Sequence, residues 1–407
     1  MDIPFSFPIF NNTRVHLAVC GSVAAYKSLD LMRALIKQGI HTSVSLTKSG
    51  SHFIPPLNFS ALGAAPVYGE LFSEQESPYD HLLPGQVCDA FALVPASANT
   101  IAKIANGVSD TMVTAQALAF DKPLIFAPAM NPKMWYHPST ARNVATLRSD
   151  GHSFVLPELG AVACGEHGVG KLAAIETIYW HILRAVIASK QLNDLSGKKV
   201  MVTLGPTREQ WDGVRYWSNL STGHMGAALA IAAWLRGAEV FAVHGPIFFD
   251  LPVGITQYPV LSASAMFEAA SSLWEHMDYG VFSAAVADFA PKPFGAEKFK
   301  KSSSASGFSL EFIPNQDILA TLGQRKQTHQ RIVGFAAETS DVLENAKDKL
   351  VRKNADIIVG NKIGDSGSGF GAETNDAFIV KSADCHELPR MEKSSLAWLI
   401  MDELCAV

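Results

Sequence analysis

Residues able to do chemistry gather in two groups, one on each side of the chain's midpoint. In the first, Gly21 and Ser22 open GSVAAYK, and Ser97 and Asn99 open PASANTIAKIANG. Each offers hydroxyl or amide groups and unpaired helix-start amides to an anion, or equally an ordinary turn and N-cap. Met130 and Asn131 lie in PAMNPKMW, where an asparagine between prolines suits an amide or carboxylate ligand, or simply shapes the loop. Cys164 sits among the glycines of ACGEHGVGK, closed by Lys171, in a setting more open to substrate than most cysteines have. His81, one of 13 histidines, has the side chain that moves a proton near neutral pH, although most histidines are structural or solvated.

The second group begins at KKVMVTLGPTREQWDGVRYWSNLSTGHMG (198–226), which holds Asn219, Gly223, His224 and Gly226. A strand, a polar loop and a helix start make a corner that receives anions. Further on, AAVADFAPKPFGAEKFKK follows Ser283 and carries Ala284, Asp288 and Lys298, with three lysines within four positions. An aspartate with lysines suits a triphosphate and its metal ion, and a solvated basic loop has the same composition. Asn315, Gln316, Asp317 and Ile318 open the helix of IPNQDILATL, Phe335 lies in VGFAAET, and Lys349 and Lys353 are four apart on one helix face. No residue set for a metal ion stands out.

The elements that must position these groups alternate between short apolar runs and helices. In the first half, strands are expected at Val15–Cys20, His41–Leu46, Ala90–Val94 and Leu124–Ala127, with helices at Ala24–Lys37 and Pro138–Asp150. Helix Glu176–Ser189 closes that half, and the polar stretch 190–197 is a linker. In the second half, strands are expected at Val200–Leu204, Glu239–His244 and Tyr279–Ser283, with a helix at Ser264–Glu275. Such alternation gives mainly parallel sheets covered on both faces, which bind ligands beyond the carboxyl ends of their strands. The fold class is therefore α/β, with two tandem doubly wound domains covering 1–189 and 198–407.

At 407 residues, 48% hydrophobic and 17% charged, the chain can bury two full cores. A formal charge of −5 gives no support for a nucleic-acid surface. Five scattered cysteines without CxxC spacing argue against zinc and disulfides and for a reducing, cytoplasmic setting. The Met1–Thr13 region lacks a basic start and carries two prolines, so it reads as a packing arm and not a signal peptide. No apolar run is long enough for a membrane span.

Taken together, GSVAAYK, PASAN, PAMN and ACGExGxGK resemble, in order and spacing, the flavin-dependent cysteine decarboxylases, the family of phosphopantothenoylcysteine decarboxylase; the match covers roughly Arg14 to Ser189. The resemblance implies a flavodoxin-like or Rossmann-like flavoprotein domain with FMN cradled by Gly21, Ser22, Ser97 and Asn99. It implies that the flavin takes electrons from the thiol end of the substrate, so that carbon dioxide leaves from a thioaldehyde, and then returns them to the enethiol. His81 is implied as the base of the oxidation, Met130 and Asn131 as the holders of the substrate, Lys171 as a loop contact, and Cys164 as the final proton donor. The family usually has Gly-Arg-Met where this chain has Gly170-Lys171-Leu172; lysine keeps the charge and loses the bidentate fork.

The second group of motifs resembles phosphopantothenate–cysteine ligase of the bacterial, CTP-using type across nearly all of Leu195 to Glu403. It implies a Rossmann-like ligase domain that converts phosphopantothenate to an acyl-cytidylate, which the amine of cysteine then attacks. The CTP shell would be Ser283, Ala284, Asp288, Lys298, Asn315, Gln316, Asp317, Ile318, Phe335, Lys349 and Lys353, with Mg2+. Asn219 would stabilise the acyl-cytidylate, and Gly223 to Gly226 would form a phosphate corner. His224 replaces the usual lysine and Gln316 the usual proline. An ordinary histidine is only partly charged at neutral pH, so a phosphate contact at His224 is expected to be weaker and pH-dependent.

The whole chain thus resembles the bifunctional coenzyme A biosynthesis flavoproteins, which implies a homo-oligomer. A regulatory flavoprotein or a flavin prenyltransferase-like enzyme is the alternative; the latter family lacks the second domain, and the former need not keep His81 and Cys164. A generic NAD-linked oxidoreductase is disfavoured because neither first loop spells Gly-x-Gly-x-x-Gly.

Overall fold

The computed structural model describes residues 5–72, 77–163, 165–300, 307–338, 341–362, 372 and 374–406. Two compact units divide it, Met1–Leu192 and Asn193–Val407.

The first unit is built on β1 (Arg14–Val19), β2 (His41–Leu46), β3 (Val67–Tyr68), β4 (Ala90–Ala96), β5 (Leu124–Pro128) and β6 (Ser153–Phe154). They lie in the order β3-β2-β1-β4-β5-β6, all parallel. Residues 15–19 and 90–96 are wholly buried, as strands covered on both faces must be. The chain reverses direction of winding between β1 and β4, which opens a crevice at their carboxyl ends. Phe91, Leu93, Phe126, Val113 and Leu147 form the core on one side.

Two sequence expectations change in this unit, and a third, the packing arm, is specified. The single helix expected over Ala24–Lys37 begins as a 3-10 turn, Val23–Tyr26, before the α-helix Lys27–Lys37; tight i→i+3 bonds are common where a helix leaves a turn. The Gly-rich loop around Cys164 is flanked by an antiparallel pair, β7 (Glu158–Ala161) and β8 (His167–Lys171), whose small residues hide a period of two. The amino-terminal arm packs on its own unit: Phe7 and Phe10 are fully buried, and Gln38 Nε2 donates to the Phe7 carbonyl at 2.9 Å. Tyr179 in turn donates to Gln38 Oε1 at 3.0 Å.

The second unit holds β9 (Lys199–Leu204), β10 (Arg208–Gln210), β11 (Tyr216–Ser218), β12 (Glu239–His244), β13 (Thr256–Pro259), β14 (Tyr279–Phe282), β15 (Phe289–Pro291), β16 (Phe312–Pro314), β17 (Arg331–Glu338), β18 (Ile357–Lys362), β19 (Thr374–Asn375), β20 (Ala377–Lys381) and β21 (Cys385–Glu387). The main sheet runs β13-β12-β9-β14-β17-β18-β20-β21, parallel as far as β18 and antiparallel for the last two. Helix His224–Leu235 is apolar on every side from Gly226 onward and is accordingly buried, packed on β9, β12 and the carboxyl-terminal helix Lys393–Cys405. Its end is fixed by Arg236, whose nearly buried guanidinium pairs with Asp194 at 2.5 Å and Asp402 at 2.7 Å.

Candidate active sites

In the first unit the loops after β1 and β5 and the β7–β8 pair surround a cavity of about 410 Å³. Of the residues singled out by sequence, Ser22, Met130, Asn131 and Lys171 line it. Ser22 caps the turn by accepting from the Ala24 amide at 3.3 Å. Asn131 caps the short helix Pro132–Trp135: its Oδ1 accepts from the Lys133 amide at 2.8 Å, and its Nδ2 donates to Glu166 Oε2 at 2.9 Å. The pair β7–β8 is pressed against this loop. Met130 N donates to the Gly170 carbonyl at 3.0 Å, and a Cβ on Gly170 would stand 2.2 Å from the Met130 carbonyl oxygen, so no other residue fits.

Gly21 lies behind the cavity, against Ser49. Ser97 caps helix Ala98–Ala105 through Thr100, and Asn99 is exposed in its first turn. His81 lies in the turn before Leu83–Val87. None of these four lines the cavity, and Cys164 lies outside the described residues. Glu166 was not singled out by sequence. It binds both Asn131 and Lys133, the latter at 3.1 Å, and the Asn131 amide foremost holds its carboxyl below the ordinary range. Its only sequence signal is a position two residues past the cysteine. Lys171 pairs with Glu158 at 3.5 Å, both half-exposed. A flavin mononucleotide fits this chemistry: Ser22, Lys27 and Lys171 offer hydroxyl and cationic partners to its phosphate, and Val23, Ala129, Met130 and Leu172 offer apolar surface to its ring.

In the second unit a cleft of about 1030 Å³ opens at the carboxyl ends of β14 and β17. It collects Ala284, Asp288, Asn315, Gln316, Asp317, Ile318, Phe335, Lys349 and Lys353. The loops are stitched from below: Asn315 N donates to the Asp288 carbonyl at 2.8 Å, and Asn315 Nδ2 to the Ala287 carbonyl at 2.8 Å. Asp317 caps helix Ile318–Gln324 through the Ala320 amide at 2.9 Å and pairs with Lys353. Burial pushes the Asp317 carboxyl up, but Lys353 and that amide outweigh it and hold the acid ionised. Lys349 Nζ donates to the Phe335 carbonyl at 2.6 Å; burial first, and Lys353 beside it, pull its pKa down. Lys353 stands close enough to Lys349 to oppose its charge, and Asp317, Glu338 and Asp288 lie near enough to favour it.

Two residues of the expected shell lie outside this lining. Ser283 turns away to donate to the Thr203 carbonyl at 2.8 Å, and Lys298 is exposed on the loop 294–299. Asn219 is held over the corner by its Nδ2, which donates to the Ala285 carbonyl at 3.0 Å. Gly223 caps the buried helix, and a Cβ on Gly226 would lie 2.4 Å from both Leu204 Cβ and Ser283 Oγ. His224 Nδ1 meets Thr222 Oγ1 at 2.9 Å; burial and the nearby Lys393 lower its pKa, so the imidazole is more neutral than an ordinary histidine.

The polar loop expected between β9 and the helix is in fact the hairpin β10–β11, and its key residue escaped the sequence reading. Asp212 is wholly buried at the turn and accepts from the amides of Val214 at 2.8 Å, Arg215 at 2.7 Å and Phe299 at 3.1 Å. Burial raises its pKa, and these donors lower it further than burial raises it. The hairpin is thereby clamped to the loop that carries Lys298. The Asp-Gly pair at 212–213 was the available turn signal.

A family model described as Flavoprotein matches residues 10–187, and one described as the DNA/pantothenate metabolism flavoprotein C-terminal domain matches 195–407. The chain is 41% identical over 402 residues to the coenzyme A biosynthesis bifunctional protein CoaBC of Bacillus subtilis (strain 168), covering 98% of each. This chain belongs to the bifunctional coenzyme A biosynthesis family. The Escherichia coli (strain K12) member is 34% identical, with 96% of each chain covered. A crystal structure of the C-terminal domain of a CoaBC protein matches 53% of this chain and 97% of its own, at 36% identity and a TM-score of 0.45. Family membership agrees with one α/β unit for each family model. Among the described residues no helix is long and apolar enough to cross a membrane, and no three His, Cys, Asp or Glu residues gather as a metal site.

Proposed function

We propose that the chain joins cysteine to phosphopantothenate with CTP in its second unit and decarboxylates the resulting phosphopantothenoylcysteine to phosphopantetheine with FMN in its first. The observation that carries this reading is the full-length match to bifunctional relatives together with two separate ligand cavities, one in each unit.

In the ligase unit, Lys349 and Lys353 counter the charge of the triphosphate as pyrophosphate leaves, and the Asn315 and Asp317 loop shapes the nucleotide end of the cleft. Asp288, exposed at the rim, would meet Mg2+ arriving with the nucleotide; magnesium commonly needs only one or two carboxylates beside substrate phosphates. Asn219 keeps an amide over the acyl group. Lys298 would reach the phosphates from the clamped loop.

In the decarboxylase unit, bound flavin supplies the electron sink that lets an unactivated carboxylate leave. Asn131, fixed by Glu166, orients the substrate carboxylate, Met130 shields it, His81 takes the thiol proton, and Cys164 returns a proton at the end. The described cysteines Cys20, Cys88, Cys385 and Cys405 are free thiols, which supports a cytoplasmic setting, and a homo-oligomer completes the reading.

The test is to incubate the purified protein with phosphopantothenate, cysteine, CTP and magnesium and follow products by mass spectrometry. Phosphopantetheine is expected; accumulation of phosphopantothenoylcysteine would leave only the ligase half standing.

A further inference from the structure

Behind the first-unit sheet lies a chain of buried polar groups that no ligand-binding role explains. His16 on β1, Ser45 on β2 and Gln116 on helix Met112–Leu118 have no exposed surface. His16 Nδ1 meets Ser43 Oγ at 2.7 Å, and His16 Nε2 meets Gln116 Oε1 at 3.1 Å and Ser45 Oγ at 2.9 Å. Ser45 Oγ also donates to Gln116 Oε1. The far end of Gln116 leaves the network: its Nε2 donates to the Asp80 carbonyl at 3.2 Å.

The directions follow from that last bond. With Nε2 spent on a carbonyl, Gln116 turns its acceptor oxygen to the histidine, so His16 donates from Nε2 and accepts the Ser43 hydroxyl at Nδ1. One tautomer of a neutral ring satisfies every partner, and the Phe91 ring, perpendicular to the imidazole with centroids 4.5 Å apart, closes the pocket. Four polar side chains in an apolar core cost desolvation unless all are paired, and a fully paired network is rigid. Apart from a long Ser43 Oγ–Cys88 Sγ contact at 3.9 Å, it leads out to the peptide that joins Asp80 to His81. The same turn is tied on its other side, where Asp80 Oδ2 accepts from the Ser77 amide at 3.1 Å.

We propose that Gln116, braced by His16, Ser43 and Ser45, is a positioning residue that pins the Asp80–His81 peptide and so fixes the imidazole of His81 for decarboxylation. The inference rests on the proposed role of His81. Gln116 acts through the backbone and touches no reacting atom.

The test is Gln116→Met in the full chain with flavin bound, a change that keeps length and volume and removes all three side-chain bonds of Gln116, to His16, Ser45 and the Asp80 carbonyl. Decarboxylation kcat is expected to fall about 10- to 100-fold, the loss typical of a misplaced catalytic group, with KM, flavin content and CTP-dependent pyrophosphate release unchanged. Amide hydrogen exchange at 80–82 should quicken in the same protein. Wild-type kcat with wild-type exchange would overturn the proposal, as would a loss confined to KM or to flavin binding. Where Gln116→Met fails to fold, Ser45→Ala carries the test: a two- to threefold fall in kcat alone, about the size of losing a secondary brace, supports the pin, and an unchanged kcat contradicts it. If His81→Asn decarboxylates normally, the role of His81 fails, while faster exchange in Gln116→Met would still report the pin.

Discussion

The two ligand cavities differ in what their walls present. In the second, charged side chains face the cleft: Asp288, Asp317, Lys349 and Lys353 all line it, and the packing beneath is apolar, built on Met201, Trp274, Leu322 and Ile358. In the first, the cavity walls are mainly small and apolar, and the most tightly bonded polar cluster, His16 with Ser43, Ser45 and Gln116, is buried behind the sheet. The contrast follows the chemistry each unit would perform. A triphosphate must be met by charge directly, whereas a flavin brings its own reactivity and asks the protein for surface, orientation and one well-placed base.

The comparison breaks most sharply at Lys349. Lys349→Met should lower kcat/KM for CTP by about 100-fold or more and spare decarboxylation, because one of two cations facing the phosphates is lost. Equal losses in both reactions would erase the contrast. Next is Gly226→Ala, whose new methyl would overlap Leu204 and Ser283. It should destabilise the second unit by about 1 to 3 kcal/mol, read as an earlier thermal transition with the flavin-bearing unit unaffected.

The buried histidine gives the first unit a pH signature. Burial lowers the pKa of His16 from 6.5 to about 3, so between these values the unfolded chain binds a proton that the folded unit refuses. Its stabilising contribution is complete above about pH 6.5 and is lost as pH falls toward 3, at roughly 1.4 kcal/mol per pH unit. The thermal midpoint of the flavin-bearing unit should therefore drop on acidification, and His16→Gln should flatten that slope. The smallest effect is expected at Lys171→Arg. The lysine pair with Glu158 is half-exposed, where such pairs contribute little, so decarboxylation should change less than about threefold.

Most of the frame was legible in sequence because β-branched runs and glycine turns mark buried parallel strands directly. His41–Leu46 and Glu239–His244 coincide with their strands to the residue. Much of the cleft was legible too, since Asp317 caps a helix start and Lys349 and Lys353 are four apart at the end of one helix. What escaped was whatever depends on contacts distant in sequence. Asp212 reads as a turn residue until the amide of Phe299 closes on it, 87 positions away. Glu166 shows its purpose only beside Asn131. Gln116 reads as a polar position in a short helix, and nothing local tells that it ends on the peptide before His81. His224 was legible by type and as a weak cation, and burial with Lys393 lowers its pKa further than sequence alone shows.

The claim that two independent sites share one chain is tested most directly by His81→Asn supplied with phosphopantothenate, cysteine, CTP and magnesium. Pyrophosphate should be released at the wild-type rate while phosphopantothenoylcysteine accumulates and carbon dioxide release stops. Loss of pyrophosphate release together with carbon dioxide release, in a folded and flavin-loaded protein, would contradict it.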